Sequence, residues 1–95
     1  MLHLIFELSD AVVVNRLHNQ ACVIFLNNAV LKLVQKSLFQ PALTQLLQTT
    51  PCYVLSDDLT LRGITEDLLL EKIIVIDYYK FVQLTLKHTP IQTWN

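Results

Sequence analysis

The sequence predicts a small α/β domain of three layers, with a mostly parallel sheet of four to five strands and helices on both faces. Three observations carry that expectation. Short apolar runs recur at Met1–Phe6, Ala21–Leu26, Cys52–Leu55 and Ile73–Ile76. They are continuous rather than alternating, as strands covered on both faces are. Segments of helical spacing lie between them, and alternating strands and helices pack as a parallel sheet between helical layers. With 95 residues, no internal repeat and no low-complexity linker, residues 1–95 are expected to form one domain.

Each element has a local reason. Met1–Phe6 is the first strand. Ser9 is placed to cap a helix over Asp10–His18, with Val12, Val13, Val14 and Leu17 as its apolar positions. Ala21–Leu26 is a β-rich run stopped by Asn27-Asn28. Across Ala29–Phe39, Val30, Leu33, Val34 and Leu38 fall at helical spacing, and Lys32 and Lys36 share a second face. Ala42–Leu47 is helical and is broken by Thr49-Thr50-Pro51. Cys52–Leu55 is the third strand. Asp57 or Asp58 caps a brief helix that Gly63, the single glycine of the chain, closes at its C-terminal end. Ile64–Glu71 is a short helical or irregular stretch, and Ile73–Ile76 is the fourth strand. Asp77 caps a helix over Tyr78–Lys87, with Tyr78, Phe81, Val82 and Thr85 on one face. Lys87 and His88 sit at its C-terminus, where cations are favoured, and Pro90 prevents continuation. Leu86, Ile91 and Trp94 are left over as apolar groups near the end of the chain.

Composition points to a partner. Hydrophobic residues make up 53% of the chain and charged residues only 16%. A chain this short buries roughly 60–65% of the surface its unfolded form exposes. The surplus apolar surface therefore calls for a membrane or another subunit. The longest uncharged run, Ser37–Ser56, contains Pro41, Pro51 and three glutamines, unlike a spanning helix. The opening MLHLIFELSD lacks a basic start and meets Glu7 and Asp10 early, unlike a signal peptide. The expectation is a soluble cytoplasmic protein with a large apolar interface, no membrane partner and an obligate oligomeric state. A net charge of −1 and seven scattered Lys and Arg give no basic face for direct nucleic-acid binding.

The search for chemistry mostly excludes. One glycine leaves no room for a phosphate-binding glycine loop or a nucleophile elbow. Cys22 and Cys52 open strands, at the end of the sheet away from the usual ligand crevice, and read as buried structural thiols. They form no CxxC and no metal spacing. His3 lies inside a strand as a core or interface residue, His18 near a helix end, and His88 at a helix C-terminus. Asp57, Asp58 and Asp77 fall at strand carboxyl ends. With Arg62 nearby they could line a polar site, but capping alone accounts for each. No catalytic group, cofactor site or metal site is expected.

The block 56–94 is strongly patterned and free of obvious chemistry, as a surface built to be recognised would be. Within it and just before it, LSDDLTLRGI (55–64), IIVIDYYKFVQLTLKH (73–88) and the closing Trp94 resemble the TusB/DsrH family of sulfur relay subunits. The opening MLH and VIFLNNAV (23–30) are similar to the same family, so the likeness spans almost the whole chain and is weakest over Lys32–Gln48. Asn27-Asn28 departs from it, standing where many relatives carry an Asp-Gly pair. The resemblance implies a DsrEFH-like fold and assembly with TusC-like and TusD-like subunits, two copies of each chain forming a heterohexamer. It implies a complex that accepts persulfide sulfur from TusA and passes it to TusE, for 2-thiolation of tRNA wobble uridine. The transfer cysteine of such complexes belongs to the TusD-like subunit. DsrH relatives of sulfur oxidisers carry a cysteine in the first helical region, and Ser9–His18 has none here. The expected role is therefore a non-catalytic subunit, with Arg62, Tyr78, Phe81, His88 and Trp94 as candidate interface residues. The alternative is a DsrH-like thiol protein in which Cys22 or Cys52 itself carries persulfide sulfur.

Overall fold

A computed structural model describes residues 1–95. Its sheet has five strands: β1 (Leu2–Ile5), β2 (Cys22–Phe25), β3 (Cys52–Leu55), β4 (Ile74–Ile76) and β5 (Ile91–Trp94). All neighbours pair in parallel, in the order β4-β3-β2-β1-β5. Four helices connect them: α1 (Ala11–Asn15), α2 (Gln40–Leu47), α3 (Ser56–Leu61) and α4 (Tyr78–Lys87). No helix is long and apolar enough to cross a membrane.

The topology follows from handedness. From β1 to β4 the chain steps in one direction, so right-handed crossovers place α1, α2 and α3 on one face. The return from β4 to β5 runs the opposite way, and the same rule puts α4 on the other face. Strand residues alternate between two cores accordingly. Ile5, Val23, Phe25, Cys52 and Val54 join Val14 of α1, Leu43 and Leu46 of α2, and Leu59 of α3. Leu2, Leu4, Cys22, Ile24 and Ile76 face α4, meeting Leu84 and the half-buried Phe81.

Several local expectations are corrected. The residues around Ile91 and Trp94 form β5, paired to β1 from Leu2↔Ile91 to Ile5↔Trp94. This edge strand has exposed Ile91, Gln92 and Thr93, so it lacks the apolar run that marks the buried strands. The first helix is capped by Asp10 rather than Ser9, its carboxylate accepting from Val12 N–H at 2.9 Å. It ends at Asn15, and Val12 is exposed. Residues 29–39 do not form an α-helix. A 3-10 turn covers Asn27–Lys32 and buries Ala29 and Val30. Leu33 C=O then accepts from Leu70 N–H, and Gln35 N–H donates to Leu68 C=O. Pairing with residues 68–70 overrides the helical spacing, and Leu38 is left 98% exposed.

Neither Asp57 nor Asp58 caps α3. Leu55 stands at its N-cap, and both acids lie in its first turn. Its far end is as expected: Gly63 has φ +67, Ile64 N–H reaches Leu59 C=O, and Gly63 N–H reaches Thr60 C=O. In α4, Asp77 does cap, accepting from Lys80 N–H at 2.8 Å. The buried face is centred on Leu84, with Phe81, Val82 and Thr85 half-buried at its sides and Tyr78 exposed.

Candidate functional site

In a parallel sheet every strand ends at one edge, and ligands of such sheets usually bind there. Glu7 follows β1, Asn27 and Asn28 follow β2, and Asp58 and Arg62 lie on and beyond α3, which follows β3 directly. These five side chains form one network. Arg62 lies four residues after Asp58, so both sit on the same side of α3, and its Nη1 is 3.5 Å from Asp58 Oδ1. Its Nη2 donates to Asn27 Oδ1 at 2.5 Å and to Asn28 Oδ1 at 3.1 Å. Asn27 N–H donates to Asp58 Oδ2 at 3.0 Å, and Asn28 Nδ2 donates to Glu7 Oε1 at 2.8 Å. Asn27 has φ +54, a left-handed conformation that asparagine tolerates better than most side chains. The network joins the ends of three adjacent strands. It contains no nucleophile, and its guanidinium is already occupied by two amides and a carboxylate. Its evident work is to hold loops.

The two thiols are far from reactive conditions. Cys22 and Cys52 are both free and buried, Cys22 in the core under α4 and Cys52 in the core under α1, α2 and α3. They lie on neighbouring strands and point to opposite faces of the sheet, as the register Val23↔Cys52 requires. Burial pushes the Cys22 thiol up to about 11 and the Cys52 thiol up to about 12, with the Cys22 charge adding to the second shift. Cys52 also donates weakly to Thr50 C=O, 3.5 Å away. A thiolate nucleophile needs the opposite: exposure and a nearby cation.

The sequence-predicted interface residues fall in separate places. Arg62 belongs to the carboxyl-edge network. Tyr78 and Phe81 lie at the N-terminal end of α4, their ring centroids 5.9 Å apart, Tyr78 exposed and Phe81 half-buried. His88 closes the other end of α4, its N–H donating to Leu84 C=O. Trp94 is half-buried on β5, where its indole N–H donates to His3 Nδ1 at 3.0 Å. Glu7, Asn27 and Asn28 were not foreseen as members of a cluster. The signal for two of them was the paired asparagine directly after an apolar strand, the position where side chains gather at a parallel sheet's edge.

Comparison with known proteins assigns the chain to a family and matches its fold. The family described as DsrH like protein matches residues 6–91. Protein TusB from Buchnera aphidicola subsp. Baizongia pistaciae (strain Bp) is 30% identical to the chain, over 99% of this chain and 100% of that protein. Protein TusB from Buchnera aphidicola subsp. Acyrthosiphon pisum (strain 5A) is 30% identical over 94% of this chain and 90% of its own. Among solved structures, a protein of unknown function from Methanobacterium thermoautotrophicum superposes with a TM-score of 0.80 at 17% identity, covering 98% of this chain and 96% of its own. That likeness concerns the fold, the five-stranded parallel α/β arrangement described above. The match over residues 6–91 and the two near-full-length relatives named TusB establish that the chain belongs to the DsrH-like family.

Proposed function

We propose that this chain is a non-catalytic, cytoplasmic subunit of a TusBCD-type sulfur relay complex, with residues 1–95 acting as one TusB/DsrH-like domain. In this reading it assembles with TusC-like and TusD-like chains into a heterohexamer. The complex then supports passage of persulfide sulfur from TusA to TusE for 2-thiolation of tRNA wobble uridine. The observation that carries the non-catalytic role is the state of Cys22 and Cys52. Both are buried, both are pushed well above the ordinary thiol range, and neither lies in the carboxyl-edge network. The surplus of exposed apolar side chains, including Leu61, Tyr78, Tyr79 and Leu86, supports an oligomeric setting. Arg62, Tyr78, Phe81, His88 and Trp94 remain the proposed interface residues.

The test is the Cys22→Ser and Cys52→Ser double variant, co-expressed with TusC-like and TusD-like partners. The expected result is a complex of normal mass in a native mass measurement and unchanged tRNA 2-thiolation. A complex that assembles but no longer supports thiolation assigns sulfur carriage to one of these cysteines. Because a buried serine can disturb packing, the Cys→Ala pair is run alongside and is expected to behave in the same way.

A further inference from the structure

We propose that His3 and Trp94 form a proton-operated latch that holds the C-terminal strand β5 in the sheet, and that protonation of His3 releases it. The inference rests on hydrogen-bond chemistry and is independent of the function proposed above. His3 lies in the middle of β1 and is only 6% exposed. Its two ring nitrogens have different partners. Trp94 Nε1 is 3.0 Å from Nδ1, and Gln20 Oε1 is 3.1 Å from Nε2. An indole N–H can only donate, so Nδ1 must be the unprotonated, accepting nitrogen. Gln20 directs its amide nitrogen to His18 C=O at 3.5 Å, which leaves its oxygen toward the imidazole and places the ring proton on Nε2. The ring is thereby held neutral in one tautomer.

A second proton has only Nδ1 to occupy. It would set an N–H against the indole N–H, replacing a buried hydrogen bond with two facing donors. The ring's hydrogen-bond partners are Gln20 and Trp94, and neither titrates. The charged or titratable groups on the surrounding elements are the Met1 amino group, Glu7, Asp10, Arg16, His18, Cys22 and Cys52. None of them makes a hydrogen bond or ion pair with the ring, and His18 is bonded to Thr49 instead. No carboxylate is bonded to the ring.

The consequence falls on β5 because Trp94, which packs against the core under α1, α2 and α3, is the side chain that anchors this strand beyond its backbone ladder. It is an edge strand paired only to β1, and Ile91, Gln92 and Thr93 are exposed. Backbone bonds link it to β1, among them Leu2 N–H to Pro90 C=O at 3.0 Å and Phe6 N–H to Trp94 C=O at 2.9 Å. The Trp94–His3 bond is the one side-chain hydrogen bond that ties β5 to another element. The strand is latched while His3 Nδ1 accepts from the indole and loosens when a proton occupies that nitrogen.

Trp94 is the only tryptophan of the chain, so its emission reports the latch directly. The full chain is titrated from about pH 8 to about pH 5, the interval in which imidazole changes charge. Tryptophan emission is followed together with hydrogen exchange of the 91–95 segment, corrected for intrinsic pH dependence. The expected result is a red shift on acidification and a loss of protection on the order of tenfold, the population change that one ordinary hydrogen bond controls. In His3→Gln, which keeps an acceptor but cannot titrate, both responses should be flat, although His18 and His88 remain. A flat wild-type titration overturns the latch, and so does an unchanged response in His3→Gln. If His3→Gln does not fold, Trp94→Phe serves in its place. It keeps a ring on β5 but offers no donor, and exchange of 91–95 should lose its pH dependence. Retention of the wild-type pH dependence overturns the proposal.

Discussion

The two faces of the sheet are built to different depths. On one face, three helices and the 3-10 turn at Asn27–Lys32 cover a core in which Ile5, Val23, Phe25, Leu33 and Leu46 have no exposed surface. On the other, α4 alone covers Leu2, Leu4, Cys22, Ile24 and Ile76. Ile74 and Ile91, both directed to that second face, stay nearly half exposed at the two edge strands. The crossover rule produces this asymmetry, since three forward steps put three helices on one side and a single return step puts one on the other. Folding stability should therefore reside mainly on the first face, with the second left open to further packing.

Paired truncations test that division with the largest expected effect at neutral pH. Phe25→Ala empties the middle of the first core and should cost about 3–5 kcal/mol, much of the stability of a domain this size. The urea midpoint should fall steeply or the chain should be unfolded. Leu84→Ala removes the buried anchor of α4 and should cost about 2 kcal/mol, near the lower end for such substitutions, because a single helix can settle onto the gap. Hydrogen exchange in that variant should rise in α4 before it rises in β2 or β3. Equal midpoints and uniform exchange in the two variants would mean that the sheet has no weaker face.

The same asymmetry governs how much could be read in the sequence. Strands β1 to β4 were legible because their side chains are apolar on both faces. The helix capped by Asp77 and the turn closed by Gly63 were legible because caps and left-handed residues act locally. Strand β5 was not, since Ile91-Gln92-Thr93-Trp94 carries no buried run and exists through its pairing with β1. Residues 29–39 misled for a related reason. Their helical spacing is real, but Leu33 and Gln35 are held by backbone bonds to residues 68 and 70, which no local pattern announces. At the carboxyl edge, Asp57 and Asp58 followed a strand as caps often do. Because α3 begins immediately after β3, Asp58 turns instead to Asn27 and Arg62, some thirty residues away or one helical turn along. Burial of the two cysteines could be anticipated from their place at the start of apolar strands. That they face opposite cores could be known only once the register was in hand.

That opposite placement gives a more selective test. In the folded chain both thiols ionise above their ordinary value of 9.0, Cys22 at about 11 and Cys52 at about 12. The unfolded chain loses these protons first, so it binds fewer protons than the native state as pH rises. Stability should be undiminished by these groups below about pH 9 and should fall progressively above it, by roughly 7 kcal/mol once both folded values are passed, enough to unfold a domain this size. The Cys22→Ala and Cys52→Ala double variant should remove most of that slope in urea midpoints taken at rising pH. The two sites should also separate in alkylation. Cys22 lies beneath a single helix and should be labelled before Cys52 as α4 opens locally. Labelling of Cys52 first, or of both together at the global unfolding rate, would place the weak point elsewhere.

The smallest effect on the isolated chain is expected at the outer surface of α4. Tyr79 and Leu86 are seven residues apart on one side of that helix and lie largely in solvent, 70% and 79% exposed. Leu86→Gln should change the urea midpoint by no more than about 0.5 kcal/mol equivalent, the ordinary range for a surface substitution. If the open side of the second face is where a TusC-like or TusD-like subunit packs, the same change should lower recovery of the assembled complex in a pull-down while leaving the free chain intact. A stability loss above about 1 kcal/mol would mean that Leu86 is packed within the chain. Unchanged assembly would direct the search for the interface away from α4, toward the carboxyl-edge loops held by Arg62.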